Sequence, residues 1–311
     1  MVIYKYLGRN GAKKTLEAGA VLLRTPNQFN DPFDCYYYVD DKEKDKAVNL
    51  IVNFLFFKAL YKGLVVEGKQ LVLGKTNTNL LKKSLILLDK IIKQKKRYRF
   101  DKQIELYYWI SKKISGFSVE DIRKRIKNHF SDVFKKIREL SLVSCFSLNN
   151  KSILMWSHYA DSSKGACIEY EINDNNLKTI NYSKTMTNFR LTEALEITLG
   201  HDYSGEELDV NNENYLFLID PLLTKSIEWI YENEVRCIFS KNKKTPGINK
   251  VFDKKGNELF LLCMPKPKAI YVGCNATKKF IGTIKKLKKD APVFKAEIKD
   301  GEYSIKFSKL F

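Results

Sequence analysis

The chain has 311 residues, of which 44% are hydrophobic and 13% aromatic, enough to build the core of one elaborated domain or two modest ones. This composition excludes a wholly disordered chain. Fifty-five Lys and Arg against 36 Asp and Glu give a formal charge of +19, which attracts polyanions such as nucleic acid, nucleotide phosphates or an anionic membrane face. Solvated lysines that bind nothing explain the same excess, so the charge alone does not decide.

The N-terminal pattern, the apolar segments and the cysteines indicate in which cellular compartment the protein is expected. Val2–Tyr6 alternates polar and apolar residues and lacks the basic and long apolar regions of a signal peptide. The most apolar segment, Val48–Leu60, is interrupted by polar residues and is too short to cross a bilayer. The six cysteines include no C-x-x-C pair, which gives a zinc site little support. We therefore expect a cytoplasmic protein with reduced structural thiols, no metal and no membrane span.

The first zone, from Met1 to about Asp41, predicts two short strands at Val2–Tyr6 and Val21–Arg24. Turns are predicted at Gly8–Gly11 and Pro26–Pro32.

The second zone, Asp41–Leu140, predicts helices. A capping box at Ser118 precedes apolar residues that recur at three- and four-residue steps from Val119 to Leu140, and Leu80–Ile92 and Gln103–Ile114 have similar patterns. Basic residues interleave with aromatic ones here, as on surfaces that follow a phosphate backbone. A lysine-coated helical bundle has the same pattern.

The third zone, Ser141–Phe311, predicts mainly strands, with a short helix at Lys151–Ala160 and a basic amphipathic helix at Thr277–Lys289. The predicted strands are Leu142–Ser147, Ala166–Tyr170, Val235–Phe239, Leu259–Cys263, Ala269–Gly273, Phe294–Ile298 and Tyr303–Phe307.

Strands and helices do not alternate regularly, and no G-x-G-x-x-G is present, which argues against a doubly wound nucleotide-binding sheet. We expect an α+β fold in which residues 1–42 and 141–311 form one sheet and residues 43–140 form an inserted helical subdomain.

Two polar stretches stand out in the first half of the predicted core. Phe29–Asp34, with sequence F-N-D-P-F-D, forms a turn in which Pro32 keeps Asp31 out of helical conformation. It either is only a rigid turn or presents a carboxylate to a cleft. The second stretch, S-C-F-S at Ser144–Ser147, ends a strand, where a serine often caps the next helix.

Two further stretches follow. In Leu154–Asp161, Trp156 and Tyr159 share a helical face beside His158, which is either a structural histidine or the base of a nucleophile pair with Ser147 or Cys145. Lys225–Arg236 contains an E-x-E pair, Glu232 and Glu234, whose carboxylates face the same side if the segment is extended. Two like charges raise one pKa unless a cation such as Lys225 or Arg236 balances them.

Taken in order, Tyr4-Lys-Tyr6, Phe29–Phe33, Cys145–Ser147, Met155–Ala160 with Lys164-Gly165, and Trp229–Arg236 resemble a large bacterial family of uncharacterised proteins. The N-D-P-F turn, the W-S-H-Y-A helix and the Y-E-x-E-x-R strand carry this resemblance, which covers the chain outside the helical zone.

The chain also resembles the mono-ADP-ribosyltransferases, which have a split sheet with a basic residue on the first strand, a serine-bearing strand and a late E-x-E. Lys5, Ser147 and Glu234 occupy those stations, although Lys5 replaces Arg or His and S-C-F-S replaces S-T-S. The resemblance implies a split mixed or antiparallel sheet and NAD as substrate. It implies an enzyme, of the toxin or antiphage-defence kind, that acts on nucleic acid or protein.

This resemblance also implies roles for particular residues. Glu234 stabilises the oxocarbenium character of the ribose, Glu232 deprotonates the attacking group and Ser147 orients the substrate. The remaining motif residues are expected to contact NAD: Lys5, Tyr6, Asn30, Asp31, Trp156, His158, Tyr159 and Arg236.

Two other functions stay open at this point. Asp31, Asp34, Glu232 and Glu234 could hold Mg²⁺ in a nuclease or nucleic-acid-binding module whose basic helices hold the strand. A non-catalytic sensor that binds a nucleotide-like ligand in the aromatic cleft would have the same sequence features.

Overall fold

The computed structural model describes residues 1–50, 119–172, 177–195, 219–288 and 290–311. The chain divides into two compact units. Unit 1 comprises Met1–Tyr38, Phe134–Phe189 and Asp209–Phe311, and unit 2 comprises Val39–Val133 and Arg190–Leu208. The predicted helices at Leu80–Ile92 and Gln103–Ile114 and the capping box at Ser118 lie outside the described residues. The 43–140 insertion therefore stays a prediction.

Helices in the described part of the chain are short except for one. Those described over their full length are α1 (Arg9–Ala18), α2 (Val119–Leu140), α3 (Ile153–Tyr159), α4 (Asp220–Leu223) and α5 (Lys278–Leu287), with 3₁₀ helices at Pro26–Gln28 and Ile227–Glu232. None of them is both long enough and apolar enough to span a bilayer.

Thirteen strands lie in the described residues. They are β1 (Val2–Leu7), β2 (Ala20–Leu23), β3 (Ser141–Ser147), β4 (Ala166–Glu171), β5 (Leu177–Thr179), β6 (Asn181–Ser183), β7 (Thr224–Ser226), β8 (Glu234–Ser240), β9 (Ile248–Phe252), β10 (Glu258–Cys263), β11 (Ala269–Val272), β12 (Val293–Ile298) and β13 (Ile305–Lys309).

Unit 1 is built on a mixed eight-stranded sheet. Its strand order is β13-β12-β11-β4-β1-β3-β8-β5, in which β11 and β12 pair in parallel and the other neighbours are antiparallel. Strands β2, β10 and β9 form a separate antiparallel sheet, and β6 and β7 form a two-stranded parallel one. The α+β class is therefore confirmed, but the expectation of one sheet is wrong, because β2 pairs with β10 instead of joining β1.

Helices cover both faces of the large sheet. On one face, Ile3 of β1 packs with Leu16 of α1 and with Phe280 and Ile284 of α5. On the other face, Tyr6 of β1 packs against Met155 and Trp156 of α3. This alternation along β1 assigns odd-numbered residues to the α1 and α5 face and even-numbered residues to the α3 face.

Most predicted elements are present within two residues of their expected bounds, with one exception near the start of the sequence. The predicted turn at Gly8–Gly11 is wrong, because helix α1 begins at Arg9, directly after β1. Its buried stripe of Ala12, Thr15 and Leu16 spans little more than one turn, which made the helical pattern hard to see. The last strand begins at Ile305 instead of Tyr303, which is fully exposed.

Unit 2 is helical where it is described, at residues 41–50 and 191–195 and in the first part of α2. Lys127 of α2 pairs with Asp45 at 2.7 Å, and the backbone N–H of Thr192 donates to Glu43 Oε1 at 2.8 Å.

Candidate functional site

Three adjacent central strands bring two predicted site residues, Ser147 and Glu234, close to Tyr4. Tyr4 of β1 lies directly opposite Ser147 of β3, and Ser147 lies directly opposite Glu234 of β8. Residues opposed in antiparallel strands point to the same side of the sheet. The three side chains therefore share the face that α3 covers.

Lys5 does not join them. It follows Tyr4 on β1, so its side chain points to the opposite face of the sheet. There its Nζ donates to Ser144 Oγ at 3.1 Å and to the Cys145 carbonyl at 2.7 Å, and burial lowers the pKa of the amine. The predicted contact between Lys5 and a phosphate or ribose held by Glu234 does not fit this orientation.

The E-x-E pair lies at a bend, not in the extended segment that the spacing suggested. Glu232 ends the 3₁₀ helix Ile227–Glu232, Asn233 has φ of 43°, and Glu234 begins β8. Asparagine tolerates this left-handed conformation better than most residues. Both carboxylates nevertheless reach the same cation, Lys225.

Five buried charged side chains form what we call the charge cluster: Asp34, Lys225, Glu232, Glu234 and Arg236. Lys225 Nζ lies 2.5 Å from Glu232 Oε2, 3.0 Å from Glu234 Oε2 and 3.5 Å from Asp34 Oδ2. Buried charges are stable only when they are paired and hydrogen-bonded in this way.

Arg236 is fully buried and holds the other side of the cluster. Its Nε donates to Glu234 Oε1 at 2.7 Å, and its Nη2 donates to Asp34 Oδ2 at 2.7 Å. Its Nη1 donates to the Leu222 carbonyl at 2.8 Å and contacts Cys35 Sγ at 3.1 Å. With Lys225, it occupies both oxygens of Glu234, so this carboxylate has little capacity left for a ligand.

The pKa values of the two glutamates are shifted in opposite directions. Burial raises the pKa of Glu232, with Lys225 opposing and Glu234 adding to the rise. Burial would also raise the pKa of Glu234, but Arg236 and Lys225 outweigh it and hold that pKa well below its usual range. The cluster has three carboxylates and two cations, so protonation of one carboxylate makes it neutral. Of the two glutamates, Glu232 takes a proton more readily because its pKa is raised.

Ser147 has a structural position. It is fully buried, and its Oγ donates to the backbone carbonyl of Glu232 at 2.6 Å. The same oxygen accepts the backbone N–H of Asn149 at 3.0 Å. Ser147 thus ties the bend that carries Glu232 to the end of β3, and its hydroxyl does not face an open cleft.

Aromatic side chains connect the charge cluster to the surface. Tyr159 OH donates to Glu232 Oε1 at 2.6 Å. Burial raises the pKa of Tyr159, and the nearby charge of Glu232 raises it further. His158 is exposed, and its Nδ1 lies 3.0 Å from Tyr231 OH. Trp229 lies 6.0 Å from the Tyr231 ring and 5.0 Å from Lys225 Nζ. We call these four residues, Tyr159, His158, Tyr231 and Trp229, the aromatic rim.

Two predicted ring contacts are not on this rim. The Trp156 ring is only 1% exposed, packs edge-on against Tyr6 at 5.3 Å and donates its Nε1–H to the Asn150 carbonyl. Tyr6 is also buried, and its OH donates to the Asn149 carbonyl at 2.8 Å. These rings therefore hold α3 and the 147–150 segment in place and have no free face for a ligand.

The N-D-P-F turn contributes a residue other than those predicted to bind NAD. Asn30 is exposed, and Asp31 Oδ1 accepts the Phe33 backbone N–H at 2.9 Å, as in a rigid turn. The turn instead directs Asp34 into the charge cluster. Lys225 is predicted from the sequence as a candidate balancing cation, but not as one of the catalytic or NAD-contacting residues.

The magnesium site of the alternative nuclease hypothesis does not fit the cluster. Asp34, Glu232 and Glu234 do converge, but they surround the Lys225 ammonium and the Arg236 guanidinium, which occupy the position of a metal ion. Asp31 is used by its own turn. Across the described ranges, no group of three or more His, Cys, Asp or Glu side chains is arranged to hold a metal.

Comparison with known proteins agrees with the coarser of the two resemblances. Residues 155–237, from α3 through the E-x-E bend into β8, match the model of a family described as a protein of unknown function, DUF2971. No curated protein and no solved structure matches the chain. The part of the chain that contains the W-S-H-Y-A helix, Lys225 and both glutamates is thus similar to an uncharacterised family.

Proposed function

We propose that this protein is an NAD-consuming enzyme of the ADP-ribosyltransferase kind, in which Glu232 is the reacting carboxylate. The observation that carries the proposal is the pair of glutamates that share Lys225 but have pKa values shifted in opposite directions. A pair of this kind separates the group that exchanges a proton from the group that stays charged.

The chemical step needs a carboxylate that can accept a proton. The bond between ribose C1′ and the nicotinamide nitrogen breaks, and its electron pair leaves with nicotinamide. Water or an acceptor hydroxyl then bonds to C1′, and its proton passes to Glu232, whose raised pKa suits a general base. The Tyr159 hydroxyl, 2.6 Å from Glu232, connects that carboxylate to the partly exposed rim.

Glu234 takes a different role from the one its place in the motif implies. Because Arg236 and Lys225 occupy its oxygens, it positions Lys225 and keeps a fixed negative charge beneath the reacting carboxylate. Such a charge stabilises a developing oxocarbenium ion electrostatically without touching it.

The aromatic rim supports a flat-ring substrate. Trp229 and Tyr231 are half-buried, and their rings lie 6.0 Å apart at a 40° angle on the same 3₁₀ helix as Glu232, so that one can stack on a nicotinamide or adenine ring. His158 contributes a polar edge next to Tyr231.

The acceptor of ADP-ribose in this proposal is a nucleic acid or a protein, as in toxins and defence effectors. A nucleic acid acceptor agrees with the +19 charge, since basic helices supply sequence-independent affinity for phosphates. Most of the basic helical zone predicted for this purpose lies outside the described residues.

The test is release of nicotinamide from NAD by the full chain, measured by chromatography with cell extract as acceptor. Glu232→Gln should abolish release, while Glu228→Gln, an exposed glutamate on the same 3₁₀ helix, should leave it unchanged. Release that survives in Glu232→Gln, or no release by wild type, would overturn the proposal. NAD-induced stabilisation without turnover would indicate a nucleotide sensor instead.

A further inference from the structure

The C-terminal part of the chain carries a second concentration of charge, separate from the helical zone. Residues 241–311 contain eighteen lysines and no arginine, against six acidic residues. All of them except 289 are described, so the lysines can be placed. Ten of them lie on the β9–β10 hairpin, on α5, and on β12 and β13, and the others lie in the segments that connect these elements or at position 289.

Helix α5 arranges four of these lysines regularly. Phe280 and Ile284 are buried against the sheet, and Lys278, Lys279, Lys285 and Lys286 are exposed. Residues seven apart lie on the same side of a helix, offset by only about 20°. Lys278 and Lys285 therefore form one row and Lys279 and Lys286 a second, about 10 Å long.

Gly282 lies between the two rows, directly opposite the buried stripe. A methyl group there would meet no atom within 4 Å, so nothing in the described structure requires a glycine. Glycine in a helix interior disfavours the helix, but it lets another molecule approach the backbone closely.

The charge at the start of α5 is unfavourable for the helix itself. Its first turn has no acidic residue and two lysines, although the helix dipole disfavours cations at this end. None of the four lysines pairs with an acidic side chain within the described part of the chain. Stability of α5 thus explains neither the first-turn lysines nor the glycine.

We propose that the outward face of α5 binds the phosphate backbone of a nucleic acid. Two parallel rows of cations on either side of an open notch fit a phosphodiester chain, and phosphate contacts of this kind are independent of base sequence. A membrane surface fits less well, because amphipathic helices that bind lipid insert their apolar face, and the apolar face of α5 is buried in the core.

Helix α1 extends the same side of the sheet. It packs beside α5 and exposes Arg9, Lys13 and Lys14. Arg9 pairs with Asp161 at 2.6 Å and Lys13 lies 3.8 Å from Glu17, so α1 is less strongly basic than α5. The primary contact is therefore assigned to α5.

The test measures binding of the full chain to a fluorescent 20-base-pair DNA duplex and a 20-nucleotide RNA over a salt series without NAD. The test variant changes Lys278, Lys279, Lys285 and Lys286 to Gln. The control changes Lys243, Lys244, Lys254 and Lys255, exposed lysines before and at the tip of the β9–β10 hairpin, and removes the same net charge. Melting temperatures verify that both variants fold.

If the four α5 lysines each neutralise a phosphate, the slope of log affinity against log salt falls by about 3.6 on duplex DNA and about 2.8 on RNA. Between 50 and 200 mM salt, the wild type should therefore lose about 150-fold more of its affinity for the duplex than the α5 variant does. The hairpin variant should retain most of the wild-type slope. The proposal would be overturned if both variants lost the same amount of salt slope or if the wild type bound neither nucleic acid. It would also be overturned if, in a parallel assay, the α5 variant lost binding to phosphatidylserine vesicles but kept its binding to DNA and RNA.

Because the binding assay contains no NAD, its outcome is independent of the catalytic proposal. If the chain binds nucleic acid through α5 but releases no nicotinamide, the α5 proposal holds and the catalytic proposal fails.

Discussion

Replacing Arg236 by Met tests the charge cluster directly. The guanidinium is fully buried and bonds Asp34 and Glu234, each at 2.7 Å. Its removal leaves three carboxylates with Lys225 as the nearest cation, so the formal charge of the cluster falls from −1 to −2. Removing one partner of a buried ion pair costs about 3–5 kcal/mol. Lys225 still lies 3.0 Å from Glu234, which places the expected loss toward the lower end.

The assay is thermal and urea unfolding of the full chain followed by near-ultraviolet circular dichroism. A loss of about 3–5 kcal/mol corresponds to a fall in melting temperature of about 6–20 °C for a unit of this size. Asp34→Asn in the Arg236→Met background returns the formal charge to −1 and should recover part of the loss.

The double-mutant cycle decides whether the reasoning holds. Direct contact between Asp34 and Arg236 predicts a coupling energy of about 0.5–3 kcal/mol. Additive effects of the two changes, or a loss below about 1 kcal/mol for Arg236→Met, would show that the guanidinium is not buried between the two carboxylates.

The remaining predictions concern pH and glycine. The pKa of Glu234 is lowered on folding, so its stabilisation is present above its unfolded pKa of about 4.3 and is lost as pH falls toward the folded value; acid unfolding of Glu234→Gln should depend less on pH in that range. The pKa of Glu232 is raised, so the stability of wild type relative to Glu232→Gln should fall as pH rises above about 4.3; a relative rise would contradict the shift. Gly282→Ala meets open space and should raise stability by up to about 1 kcal/mol, whereas Gly165→Ala places its methyl 2.1 Å from the Leu7 carbonyl oxygen and should lower the melting temperature or prevent folding. Equal melting temperatures for the two alanine variants would contradict both placements.

Local patterns in the sequence predicted most of unit 1. Strand β4 and helix α5 follow from runs of buried residues whose period is set by the backbone, and Thr277 caps α5 as its type suggests. Pairing between distant strands does not follow from such patterns, since β2 could have joined either sheet. In the structure β2 pairs with β10, and its residues Val21 and Leu23 are buried in the same core cluster as Ile3 of the large sheet.

The candidate site was predicted as a set of motifs but not as an arrangement. Lys225 and Arg236 were named as candidate cations for Glu232 and Glu234, and Lys225 contacts both glutamates, although the bend at Asn233 brings the two carboxylates together instead of strand alternation. Lys5 does not lie with Ser147 and Glu234, because adjacent residues on a strand point to opposite faces of the sheet. The order of motifs along the chain does not indicate which face a residue occupies. Asp34 joins Arg236 across 202 positions of chain, a contact that spacing alone does not encode.

The position of β1 in the middle of the large sheet has a consequence for biosynthesis. Both of its neighbours, β3 and β4, come from much later in the chain, and β3 begins at Ser141. At about 5–20 residues per second, a ribosome needs roughly 7–27 s to make the intervening chain. During that time β1 has neither partner and exposes Ile3 and Tyr6, which are buried in the finished sheet. A cell that makes this protein therefore has to shield its N-terminal segment from other unfinished chains, and β1 should be an early binding site for ribosome-associated chaperones.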